Sequence, residues 1–154
     1  SLVVKNCDGI MPALPANISG DDAELLAAAD GLLEKVRAEF DQQAFHEGLR
    51  LMWDVIAAAN RYIDTQAPWA LKKTDINRMG EVLAVIVETI RQIAILVQPV
   101  MPQSAAKLLD QLMVPDDARG FEHIEGRARL TSGIAIEKPQ GVFPRYQEPE
   151  GEGA

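Results

Sequence analysis

Residues 75–97 read DINRMGEVLAVIVETIRQIAILV, and this stretch decides the fold. Ile76, Met79, Leu83, Ile86, Ile90, Ile93 and Val97 recur at alternating spacings of three and four, the period of one face of an α-helix. Val82, Val85 and Val87 add apolar surface away from that stripe, so the helix is expected at the centre of a bundle. Gln98-Pro99-Val100-Met101-Pro102 ends it, because proline brings no amide donor. The apolar run from Val82 to Val97 is not a membrane span, since Glu88, Arg91 and Gln92 interrupt it.

The same periodicity continues on both sides. Upstream, Phe45, Leu49, Met52, Ile56 and Ile63 mark a second helix, and Trp53 inside it is expected in the core. Ala67-Pro68-Trp69 breaks that helix. Earlier still, Leu25, Leu32, Val36 and Phe40 mark another, with Ser19 as its N-cap and Asp22 completing a weak capping box. Pro12 and Pro15 mark a loop before it. Residues 1–6 are apolar and read as the end of a helix that starts further upstream. Part of the face formed by Leu83, Ile90 and their neighbours is then expected to lack a partner. Downstream, 104–113 reads as a shorter helix with Leu108, Leu109 and Leu112 inward. Beyond Pro115, Gly120, Gly126, Gly133, Pro139, Gly141 and Pro144 punctuate short apolar pieces. The expected fold is all-α: an up-and-down bundle of four main helices over 1–114, then an irregular, extended segment over 115–147 packing back toward the bundle or a catalytic domain. Residues 148–154 read as a disordered tail.

A chain of 154 residues, 47% hydrophobic and 25% charged, is enough for one domain with its own core. Its one cysteine, Cys7, excludes an internal disulfide framework and suits a reducing compartment. With no signal-peptide layout, a cytoplasmic location is the default expectation. The net charge of −8 argues at first against a nucleic-acid partner, but its distribution matters more than its sum. Between residues 19 and 41, seven acids stand against Lys35 and Arg37. Between 43 and 107, seven bases balance six acids, and several of the bases flank one turn. The tail adds Glu148, Glu150 and Glu152.

Nothing in the chain has the spacing of a phosphate loop, a nucleophile elbow or a metal site. His46 and His123 lie far apart with no cysteine beside either, and read as surface and loop residues. Cys7 reads as an inert, partly buried thiol. The chain is therefore expected to be non-catalytic by itself and to hold no cofactor.

The informative stretch is Asn60-Arg61-Tyr62-Ile63-Asp64-Thr65-Gln66-Ala67-Pro68-Trp69-Ala70-Leu71-Lys72. It resembles the anticodon-binding segment of methionyl-tRNA synthetases, with its N-x-Y-I/V-D/E-x-x-x-P-W pattern. Asn6-Cys7-Asp8-Gly9 before a proline loop, Phe45 to Trp53 as F-x-x-x-L-x-x-x-W, Leu96 to Pro102 as L-V-x-P-V-M-P, and Val142-Phe143-Pro144-Arg145 are similar to that family too, in the same order. Each string alone is weak; together they cover nearly the whole chain.

The resemblance implies a helical anticodon-binding bundle whose partners are tRNA(Met) and a catalytic domain, with neither DNA nor membrane. Trp69 matches the tryptophan that stacks on the first anticodon base, a role an indole face can fill. Asp64 matches an acidic position used in anticodon discrimination, and a carboxylate can accept from the amino group of cytosine in CAU. Asn60 and Arg61 are candidates for base or backbone contact. The residues alone leave other roles open. Trp69 could be a core or staple residue, and Asp64 an N-cap or the ion-pair partner of Arg61. The family's upstream N-L-x-x-R pattern and its H-I-G-H and K-M-S-K-S motifs do not occur here. ATP, magnesium and methionine are then expected on a catalytic domain outside this chain, and the zinc content of such a parent is left open. Two other readings compete. One is the helical domain of a cysteinyl, valyl or leucyl enzyme; the other is a protein-interaction module without RNA binding, which the acidic first helix slightly favours.

Overall fold

A computed structural model describes residues 2–124 and 129–143. Within them lie α1 (Leu2–Asn6), α2 (Gly20–Asp30), α3 (Leu32–Asp41), α4 (Phe45–Gln66), α5 (Pro68–Thr74), α6 (Ile76–Leu96) and α7 (Pro102–Gln111). No strand is present among the described residues; one antiparallel bridge joins Ile10 to Ala135. The fold is all-α, and α6 is its axis, as its sequence suggests. Asp75 caps it, its side chain accepting from the Arg78 amide at 2.9 Å. Val82, Ala84, Val85, Ala94 and Ile95 are completely buried. α1, α2, α4, α5 and α7 all pack against it, while α3 lies on α4.

The helix expected from Ser19 to Phe40 is two helices, broken at Gly31. Ser19 makes no side-chain cap, and Asp22 is no capping-box residue: it turns inward and is buried. The α3–α4 turn passes through Gln43 in the left-handed region (φ 61). Gly48 serves this hairpin directly, because the Phe40 ring occupies the space a Cβ would fill. Phe40 then meets Phe45 edge to face, with ring centroids 5.2 Å apart.

Trp53 overturns its expectation: it is 64% exposed. The buried stripe of α4 runs through Gly48, Met52, Val55 and Tyr62, about one residue round the helix from the stripe the sequence suggests. Phe45 and Leu49 are exposed accordingly. Both stripes are apolar, so periodicity alone could not choose between them. Trp53→Ala should therefore cost less than about 1 kcal/mol. Urea unfolding checks this, and a loss of about 3–5 kcal/mol, as for a core tryptophan, would contradict it.

Leu83, expected to lack a partner, is buried; with the partly exposed Ile90 it borders an apolar groove of about 250 Å³ lined also by Leu2, Val3, Ile63 and Ile86. The three polar residues that interrupt the apolar run are buried in α6. Arg91 donates to Glu88 at 2.7 and 3.0 Å and to the His123 carbonyl at 2.7 Å. Gln92 donates to Glu88 and to Asp30 of α2. Arg129 donates to Asp30, and the Leu130 amide donates to Glu88. Further along, Ile134 and Ile136 bond with Met11 and Gly9, and the Glu137 amide reaches the Gln111 carbonyl. Gly126, Pro144, Arg145 and the tail over 148–154 lie outside the described residues.

Candidate nucleic-acid interface

Local chemistry shapes the end of α4. Ala67 closes it in the left-handed region (φ 44, ψ 61), its amide donating to the Ile63 carbonyl at 2.9 Å. An alanine there is strained by roughly 1–2 kcal/mol. Pro68 then starts α5 at the first helical position, where its missing amide proton is not needed. Pro68 is buried, and it turns the chain so that Trp69 follows 53% exposed.

Asn60, Arg61 and Asp64 are exposed on the last two turns of α4. At 100° per residue, Asp64 lies between the other two around the helix, about 6 Å beyond Asn60 along it. Asn60 borders an apolar cleft with Ile56, Ile63 and Ile90. Arg61 borders a different cleft, between α4 and α2, beside Asp21 and Glu24. The two bland roles for Asp64 are not what the structure places around it. It stands in the final turn of α4, far from an N-cap, and the Arg61 ion pair is not among the described salt bridges. A carboxylate at the negative end of a helix is also locally unfavourable.

Bases near the turn divide into two groups. Lys72 and Lys73 are exposed in the last turn of α5, where they suit the negative helix end. Arg78 is committed inward. Its guanidinium makes a two-pronged bond to Asp22 at 2.6 and 2.7 Å, donates to Gln66 at 2.8 Å and reaches Glu81 at 3.3 Å. The Tyr62 hydroxyl donates to Asp22 at 2.7 Å, and Gln66 donates to Asp21 at 2.8 Å. Arg78 holds the Asp22 carboxyl below its usual range against the opposing effect of burial, with help from Tyr62. Burial, then the bond to Asp22, push the Tyr62 hydroxyl well above its own. Sequence reading missed this layer. The available signal was the spacing of Tyr62 and Gln66, four residues apart on the flank of α4 away from Asn60 and Asp64.

Among the described residues, no cluster of three or more His, Cys, Asp or Glu side chains could hold a metal ion, and no helix is long and apolar enough to cross a membrane. The end of α4 and the short α5 offer an exposed indole, an exposed carboxylate, an amide and exposed bases. These are groups suited to stacking, base-edge contact and phosphate contact.

The family model described as the anticodon binding domain of methionyl tRNA ligase matches residues 13–153. A methionine–tRNA ligase of Rhizobium meliloti is 49% identical over 150 residues, covering 97% of this chain and 29% of the relative. One from Mycobacterium bovis is 46% identical over 154 residues, with the same two coverages. The free-state crystal structure of Mycobacterium tuberculosis methionyl-tRNA synthetase superposes with a TM-score of 0.90 at 46% identity, covering 97% of this chain and 30% of that one. The chain thus spans about 29% of the length of the curated relatives it matches.

Proposed function

Because this chain belongs to the family of methionyl-tRNA ligase anticodon-binding domains, we propose that it reads the CAU anticodon of tRNA(Met) for a cytoplasmic ligase. In this reading the joining of methionine to tRNA, with its ATP and magnesium, is done by a catalytic domain outside these residues. The observation that carries the proposal is Trp69, held half exposed just past the Ala67-Pro68 elbow, with Asn60, Arg61 and Asp64 exposed on the two turns of α4 that lead into it. Trp69 stacks on the first anticodon base. Asp64 accepts from that cytosine's amino group, and Asn60 and Arg61 contact neighbouring bases or backbone. Lys72 and Lys73 face phosphates. We further read 1–114 as the recognition bundle and 115–147 as a segment packed on it, in keeping with the Glu88, Asp30 and Gln111 contacts.

The test is titration of the ligase containing this chain with tRNAs bearing CAU and other anticodons. Preference for CAU supports the reading. Equal binding of all tRNAs, or none, points to an interaction module instead. Asp64→Ala sharpens it. The substitution removes a carboxylate from the wrong end of α4, so thermal stability should hold or rise slightly. Discrimination between CAU and other anticodons should shrink by about 1–3 kcal/mol. A destabilised variant that keeps its preference would show that Asp64 serves the fold alone.

A further inference from the structure

The helix that carries Trp69 cannot hold itself in place. α5 has seven residues, well short of the roughly 12–15 an isolated helix needs, and Pro68 is its buried residue. It begins two residues after Gln66 and ends one before Asp75, the cap of α6. Arg78, in the first turn of α6, donates to Gln66 at 2.8 Å, so a single bond bridges the two ends of α5. Around it, Asp22 fixes Arg78 with two bonds and takes the Tyr62 hydroxyl, while Asp21 takes the Gln66 amide. The first turn of α2, the last turn of α4 and the first turn of α6 therefore meet directly beneath the elbow. Ala67 sits within that elbow in a left-handed conformation, which persists only where the surroundings over-determine it.

We propose that Gln66 and Arg78 are positioning residues, a clasp across α5 that fixes the direction in which Trp69 presents its indole to the anticodon. Arg78 acts through geometry and not as a phosphate contact, since both its prongs are spent on Asp22 and Gln66. Its planar fork is what the site uses; a lysine keeps the charge and loses the fork. The proposal rests on the anticodon reading above.

The experiment is a double-mutant cycle on CAU tRNA binding by the ligase, with Gln66→Ala and Trp69→Ala made singly and together. Gln66→Ala alone should weaken binding about tenfold, within the ten- to hundredfold that a stacked base contributes. In the Trp69→Ala background it should change nothing further, because it acts through the indole. Arg78→Lys should behave the same way, weakening affinity in the native background and changing nothing further beside Trp69→Ala. Melting curves keep the comparison to folded protein. Loss of equal size in both backgrounds, or no loss at all from either Gln66→Ala or Arg78→Lys, overturns the clasp. Should Trp69→Ala by itself leave binding intact, the anticodon reading fails first and the clasp falls with it.

Discussion

Replacing Glu88 with alanine should destabilise the protein by about 3–5 kcal/mol, a large part of the roughly 5–15 kcal/mol typical of a whole domain. Glu88 is completely buried, and Arg91 beside it is 1% exposed. Their pairing leaves the guanidinium two bonds to the carboxylate and one to the His123 carbonyl. Without Glu88 the cation stays inside α6 with most of its charge unanswered. Gln92 and the Leu130 amide lose an acceptor at the same time. Most of the loss comes from the stranded partner, not from the net value of the pair. Glu88→Leu combined with Arg91→Leu should therefore recover much of it, since well-packed apolar replacements of buried pairs are often neutral or better. Equilibrium urea unfolding of the single and double variants decides the matter. A single variant that loses under about 1 kcal/mol would show that water reaches the site.

That cluster marks the limit of what the sequence shows. α6 was legible from 75–97 because its evidence is local: an Asp at the start, apolar residues at helical spacing, and prolines after the end. The elbow at Ala67-Pro68 was legible for the same reason. Glu88, Arg91 and Gln92 looked like breaks in an apolar run. Their burial depends on Asp30, His123 and Leu130, which stand up to 62 residues away and cannot be found by period. Asp22 looked like part of a cap for the same reason; its partners are Tyr62 and Arg78. Trp53 shows a different limit. Two apolar stripes share α4, and only the packing of α2, α3 and α6 says which one is inside. The second stripe runs from exposed Trp53 to half-buried Ile56 and Ile63, and Ile63 packs against the core and borders the groove beside Leu83, so its apolar character is not surplus to the fold.

Trp69→Ala should weaken binding of CAU tRNA by roughly ten- to hundredfold, the 1–3 kcal/mol that a stacked base contributes. The indole is 53% exposed, so its removal opens no core cavity, and the melting temperature should hardly move. Trp69→Phe should restore part of the affinity, because a smaller aromatic face remains in the same place. Trp53→Ala is the matched control: an exposed tryptophan on α4, about two turns upstream of Asn60, with Arg50 beside it already paired to Glu47 and Asp54. It should leave tRNA affinity unchanged, which separates stacking at the elbow from general aromatic stickiness. Met52→Ala serves as the opposite control, since Met52 is 2% exposed and its truncation should cost about 2–5 kcal/mol of stability. Binding is measured per folded molecule, by fluorescence or filter titration at fixed salt, because phosphate contacts make affinity steeply salt dependent. If Trp69→Ala lowers stability as Met52→Ala does and leaves affinity per folded molecule intact, Trp69 belongs to the packing of α5 and the stacking platform lies elsewhere.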